Sequence, residues 1–233
     1  ALPTARLGAM AGIMRATHLD QAILASLCRE SDMYHVLQRC AILVSRMALT
    51  MPPPMFHDMV RATASWPDLC RRLISTSATL SHARSRKLVA LGLAHILRHA
   101  SAEDTGLLSA VPDMIGMWTE VVGEVVEDEA GSADRYEREL SPTRALEIGE
   151  DGIPFLDEFG LIEAAPTPSS ARTDAVRSRD PSFNVPLRAY VADTLNAVLQ
   201  NGSYKTQLQS LLATIDPLVL DTLQRGLSER PAA

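Results

Sequence analysis

With 233 residues, 46% of them hydrophobic, and a formal net charge of −6, the chain can bury a real core, which excludes wholesale disorder. Aromatics supply only 4% while Leu, Ala, Val, Ile and Met dominate, a mixture suited to packed helices rather than sheets. No apolar run is long enough to span a membrane, because Arg39 and Arg46 break Val36–Leu49 and Asp113 interrupts Thr105–Thr119.

Residues 4–16 and 19–30 read as short helices, the second starting at His18-Leu19-Asp20 with Ile23, Leu24 and Leu27 on one face. Ser31-Asp32 is the expected cap of the next, which carries Met33, Val36, Leu37, Cys40, Leu43, Val44 and Met47 inward. Pro52-Pro53-Pro54 ends that helix, since proline lacks the donor and disfavours helix in the residue before it. A shorter helix with Met55, Phe56, Met59 and Val60 runs to Trp66-Pro67, and another follows over Asp68–Leu80. Ser81–His99 is a long helix with Leu88, Leu91, Ile96 and Leu97 inward. Leu107, Leu108, Val111, Ile115, Trp118, Val122 and Val125 mark one more, which Pro112 either kinks or restarts.

From Gly131 the helical period is lost. An acidic loop is expected there, then an apolar strap over Ile153–Ile162 that docks on the helices, then a polar linker over Ser169–Asp180. Helices return at Asp180-Pro181, with Leu187, Tyr190, Val191, Leu195 and Val198 buried and Asn201-Gly202 closing the stripe. Leu208, Leu211 and Leu212 lie on the next, and Asp216-Pro217 opens the last. The expected fold is all-α, an α-solenoid of HEAT-like antiparallel helix pairs. Its parts are helical repeats over 1–130, the acidic loop, strap and linker over 131–179, and C-terminal repeats over 180–233.

Charge is the other organising feature. Between Trp118 and Glu163 fourteen acidic side chains face only Arg135, Arg138 and Arg144, a local net charge of −11. Such a concentration is either a solvated surface or a site for a basic partner. Glu120, Glu124, Glu127, Asp128 and Glu129 are the candidate partner-binding residues, because positions 120, 124 and 128 share a face wherever the helix continues.

Catalytic chemistry has no positive support. Gly106-Leu-Leu-Ser and Gly149-Glu-Asp-Gly lack the setting of a phosphate loop, and there is no nucleophile elbow. His95 and His99 share a helical face, but Ile-Leu-Arg between them lacks the general base of a zinc-protease motif. They are expected as ordinary helix-end histidines, with no metal and no cofactor. Cys28, Cys40 and Cys70 fit no ligand spacing and are expected as reduced, buried thiols. Arg84, Arg86 and Lys87 are too few, and too free of aromatics, for a nucleic-acid surface. The starting Ala1 makes a piece of a longer protein the simplest expectation.

The C-terminal run from Arg179 to Val191 resembles the entry to the last helices of importin-β superfamily receptors, and Leu208–Gln224 resembles those helices in the importin-11 type. Arg86–Leu97 is similar to a helix of their C-terminal HEAT repeats, and Trp118 followed by a Val-rich helix and an acidic loop fits the same order. The resemblance spans residues 86–227 with gaps. It implies the C-terminal part of a nuclear transport receptor that shuttles between nucleus and cytoplasm. It further implies basic protein cargo, Phe-Gly nucleoporins, and Ran-GTP bound mainly through parts outside this chain. An exportin-2-like recycler of importin-α, with a similar C-terminal layout, and a helical-repeat scaffold of another assembly are the alternatives.

Overall fold

One helix, Ala83–Arg98, is surrounded on nearly every side. In the computed structural model the described residues are 18–29, 33–101, 103–104, 106–131, 180–200 and 204–228, without the side chains of 125–131 and 183. Their α-helices are α1 (Leu19–Cys28), α2 (Tyr34–Thr50), α3 (Pro53–Thr63), α4 (Trp66–Ser77), α5 (Ala83–Arg98), α6 (Val111–Gly131), α7 (Pro181–Asn184), α8 (Leu187–Gln200), α9 (Lys205–Leu212) and α10 (Pro217–Ser228). A 3-10 turn, Leu107–Ala110, precedes α6, and no strand occurs among the described residues.

The helices sort into two rows. Helices α2, α5 and α8 pack successively in one row, while α1, α4, α6 and α10 follow one another in the other. Between the rows, α1 packs on α2, α4 on α5, and α5 on α6. Each helix thus meets its chain neighbour and the equivalent helix of the adjoining pair, the arrangement that defines an α-solenoid. Short α3, α7 and α9 fill connections.

Sequence explains where these elements start and stop. Met51 follows α2 in an extended conformation, Pro52 is the N-cap of α3, and the next prolines occupy its first turn. Ser65 caps α4 by accepting a bond from the Asp68 N–H. Pro112 sits in the first turn of α6, so it restarts the helix after the 3-10 turn instead of kinking it. Asp216 accepts from the Leu218 N–H (2.8 Å) and sets the start of α10.

Helix α5 is the centre of the core. Ten of its sixteen residues are buried, including Gly92, so from Leu88 to Ala94 it has no exposed face. Gly92 is where α2 crosses. A Cβ there would meet Ser45 Cβ at 3.0 Å and Ser45 Cα at 3.1 Å, so small residues on both helices permit the approach. The Ser45 hydroxyl donates to the Ala41 carbonyl (2.8 Å), leaving no buried polar group behind. From α6, fully buried Trp118 donates to the Ala90 carbonyl of α5 (3.1 Å).

Two inward stripes differ from the sequence reading. On α2, Leu37, Cys40, Val44 and Met47 are buried, but Met33, Val36 and Leu43 are exposed. Ala41, Ser45 and Ala48 take the inward places, because the tight crossing with α5 selects small side chains over large ones. On α8, Leu187, Val191 and Val198 are buried, Tyr190 and Leu195 only half so, and Thr194 completes the buried line. The Thr194 hydroxyl donates to the Tyr190 carbonyl (2.8 Å), which lets a polar residue take an apolar position. Cys40 and Cys70 are buried and Cys28 half-buried, all as free thiols. Burial pushes the Cys70 thiol up to about 12. The helix expected at 4–16, the Ser31-Asp32 cap, the acidic loop, the strap and linker, and Asn201-Gly202 lie outside the described residues.

Candidate partner-binding surface

Helix α6 runs unbroken from the core to Gly131. Its first half is anchored by Met114, Ile115, Trp118, Val121 and Val122, all buried. Anchoring one face turns the other outward, and Glu120 and Glu124 project there one turn apart. Because the backbone stays helical to Gly131, position 128 continues the line of 120 and 124. The side chains of Glu127, Asp128 and Glu129 lie outside the described residues.

The two described glutamates are not bare. Arg86, near the start of α5, reaches both: its guanidinium donates to Glu120 (3.1 Å) and makes a shorter bond to Glu124. The Arg86 side chain is 15% exposed, against 67% for Glu120 and 37% for Glu124. One half-sheltered cation therefore serves two carboxylates and leaves one negative charge over. Nothing in the local sequence around Arg86 announces this pairing. The signal was Arg86 standing near the start of a helix that packs along the acidic one.

Two polar clusters elsewhere are structural. Asp104, whose side chain is fully buried, accepts bonds from His57 Nδ1 (2.8 Å), Trp66 Nε1 (3.0 Å), the Ser101 N–H (2.7 Å) and the Ser101 hydroxyl (3.0 Å). Arg61 Nη1 lies 3.5 Å from it. Burial alone would raise its carboxyl, but the Ser101 and His57 bonds outweigh that and hold it below the usual range. This node ties α3, α4 and the loop after α5 together. No spacing rule connects His57, Trp66 and Asp104, so the sequence offered no means of finding it.

The second cluster contains His95 and His99. Their ring centroids are 4.5 Å apart, and His95 Nδ1 shares a hydrogen bond with the Tyr190 hydroxyl of α8 (2.6 Å). Arg98 lies over the Tyr190 ring, 5.5 Å from its centroid. Burial lowers His95 to about 4, with His99, His57 and Arg98 adding repulsion. The two rings are thus joined by a phenol and a cation, a helix-packing contact between α5 and α8. Among the described residues no group of three or more metal-ligating side chains forms, here or elsewhere.

Among the described residues the surface consists of Glu120 and Glu124 on the outward face of α6, partly neutralised by Arg86. The family model described as importin-11-like, TPR repeats, matches residues 3–228. Its repeats are called TPR where the sequence suggested HEAT, and both are antiparallel helix pairs stacked in a row. No curated protein and no solved structure matches the chain.

Proposed function

Because the chain belongs to the importin-11-like family, with repeats matched over residues 3–228, we propose that it is the cargo-holding part of a karyopherin-type transport receptor. The observation that supports this site is the continuous α6 helix, which aligns positions 120, 124 and 128 while Arg86 neutralises only part of the charge. Basic protein cargo supplies the missing cations along the ridge formed by Glu120, Glu124, Glu127, Asp128 and Glu129. Ran-GTP acts mainly through parts of the receptor outside this chain, Phe-Gly nucleoporins carry it through the pore, and it works in nucleus and cytoplasm. Its role is binding and release, with no catalytic step.

Exposed charges act chiefly on encounter and are screened beyond about 8 Å at physiological salt. Reversal to lysine at 127, 128 and 129 leaves the Arg86 pairs intact, so it tests the ridge without disturbing α5 against α6. The expected result is slower association with a Lys/Arg-rich cargo, little change in dissociation, and a steep loss of affinity with salt. Cargo binding by the receptor that ignores both the reversal and the salt would overturn the proposal.

A further inference from the structure

The outer side of α2 is apolar and basic. Val36 is 40% exposed and Leu43 44%, and these fall within one arc of the helix together with Arg39 and Arg46, while Met33, 65% exposed, is the N-cap just before it. Two large apolar side chains on one arc form a patch, unlike the scattered exposed residues of an ordinary surface. Helix α2 has no Asp or Glu anywhere in its sequence, and of the two arginines on this arc Arg46 is paired by Asp180, which leaves the charge of Arg39.

The chain itself returns to this place. Arg46 pairs with Asp180 (2.7 Å), whose side chain is only 10% exposed. The other oxygen of Asp180 accepts from the Ser182 N–H (3.0 Å) and hydroxyl (2.8 Å), capping α7. The residue that opens the C-terminal helices is thus pinned to the same arc, about 4.5 Å along the axis from Leu43 and about 20 Å from Met33. Seventeen residues separate Ile162 from Asp180, and a stretch of that length spans up to about 56 Å. Reach does not limit what the tether can present there.

We propose that this face of α2 is a docking site for the chain's own segment 153–163. That segment reads Ile153, Phe155, Leu156, Phe159, Leu161 and Ile162 with Asp157, Glu158 and Glu163 among them. Its apolar residues match Val36 and Leu43, and its carboxylates match Arg39, the arginine of this arc that Asp180 does not pair. A second copy of α2 is a poor occupant, because it would set arginine against arginine. A free acidic peptide must compete with a tethered one whose effective concentration is on the order of millimolar. Docking also separates the acid of 157–163 from the α6 ridge, so the two parts of the acidic stretch serve different surfaces.

The test is a benzophenone amino acid placed at Leu43 in the full chain and irradiated. A crosslink within one molecule to residues 153–163 is the expected result. A crosslinked dimer, attachment elsewhere, or no crosslink overturns the proposal. Independently, Val36→Asp with Leu43→Asp alters two exposed side chains and is expected to leave the melting temperature unchanged. Cleavage after Phe155 or Phe159 in the native protein should then accelerate about tenfold or more, as a docked segment is set free. Equal cleavage rates in the parent and the double variant would overturn it.

Discussion

Helices α5 and α10 are both amphipathic by sequence, yet they occupy opposite extremes of the molecule. Helix α5 buries ten of its sixteen residues; α10 buries Leu223 alone of twelve. The first has neighbours in its own row on both sides, α2 and α8, while α10 leans on α6 and α8 and leaves Leu218 65% exposed. In a solenoid, stability is a sum of repeat and neighbour terms, so the middle is held from two directions and an end from one. The difference teaches that opening should begin at α9–α10 and reach α5 last.

The largest effect that can break this comparison is loss of a central side chain. Trp118→Ala removes a fully buried ring and its bond to Ala90, and should cost about 3–5 kcal/mol in urea denaturation. Leu223→Ala, at 3% exposure, should cost about 2 kcal/mol or somewhat more and speed hydrogen exchange mainly in α9 and α10. Equal losses spread evenly through the molecule would mean that the two regions unfold as one unit. Next in size is Asp104→Ala, which strands the His57, Trp66 and Ser101 donors at a cost of about 1–3 kcal/mol. A variant that melts with the parent would show that water replaces the carboxylate without loss.

Two glycines sharpen the contrast further. At Gly92 a new methyl meets the Cβ and Cα of Ser45, atoms the α2 backbone cannot withdraw. At Gly226 it meets a methyl of buried, β-branched Val122 at 2.9 Å, so the side chain has little freedom and α10 itself, held from one direction, must move. Gly92→Ala should therefore destabilise by about 1–2 kcal/mol despite better helix propensity, whereas Gly226→Ala, where the end helix can move, should cost less than about 1 kcal/mol. Thermal melts of the two variants settle it, and a stabilised Gly92→Ala would refute the tight crossing.

Much of this architecture was legible in the sequence because helix ends are written locally. Prolines 52 to 54 and Asp216-Pro217 set boundaries through one or two residues each, whereas Trp66-Pro67, read as the end of one helix, begins α4 behind its Ser65 cap. The face of a helix is harder to read. Met33, Val36 and Leu43 fit the inward period of α2, but the close approach at Ser45 and Gly92 rotated small residues inward and left the large ones outside. Periodicity records where apolar residues lie and says nothing of how near the neighbouring helix comes. Pairings such as Arg86 with Glu120 and Glu124, or His57 with Asp104, are set by packing between separate helices, so no local pattern announces them.

The smallest expected effect concerns α8, the helix that joins the two regions. His95 on α5 meets Tyr190 of α8, and burial first, then His99, His57 and Arg98, lowers the ring to about 4 from an ordinary 6.5. Between those values the unfolded chain binds a proton that the folded chain refuses. Stability linked to His95 is therefore complete above pH 6.5, declines as pH falls through the window, and is gone below about 4. His99 is lowered too, by burial and then Arg98, and contributes in the same direction. Carboxylates titrate at the lower end of this window, so the informative quantity is the difference between parent and variant. His95→Gln should flatten the pH dependence of unfolding free energy between 6.5 and 4. Tyr190→Phe should retain most of it, because burial and neighbouring cations, rather than the phenol, keep the ring neutral. A Tyr190→Phe protein that loses the whole slope would assign the effect to the hydrogen bond, and an unchanged slope in His95→Gln would remove His95 from the account of acid stability altogether.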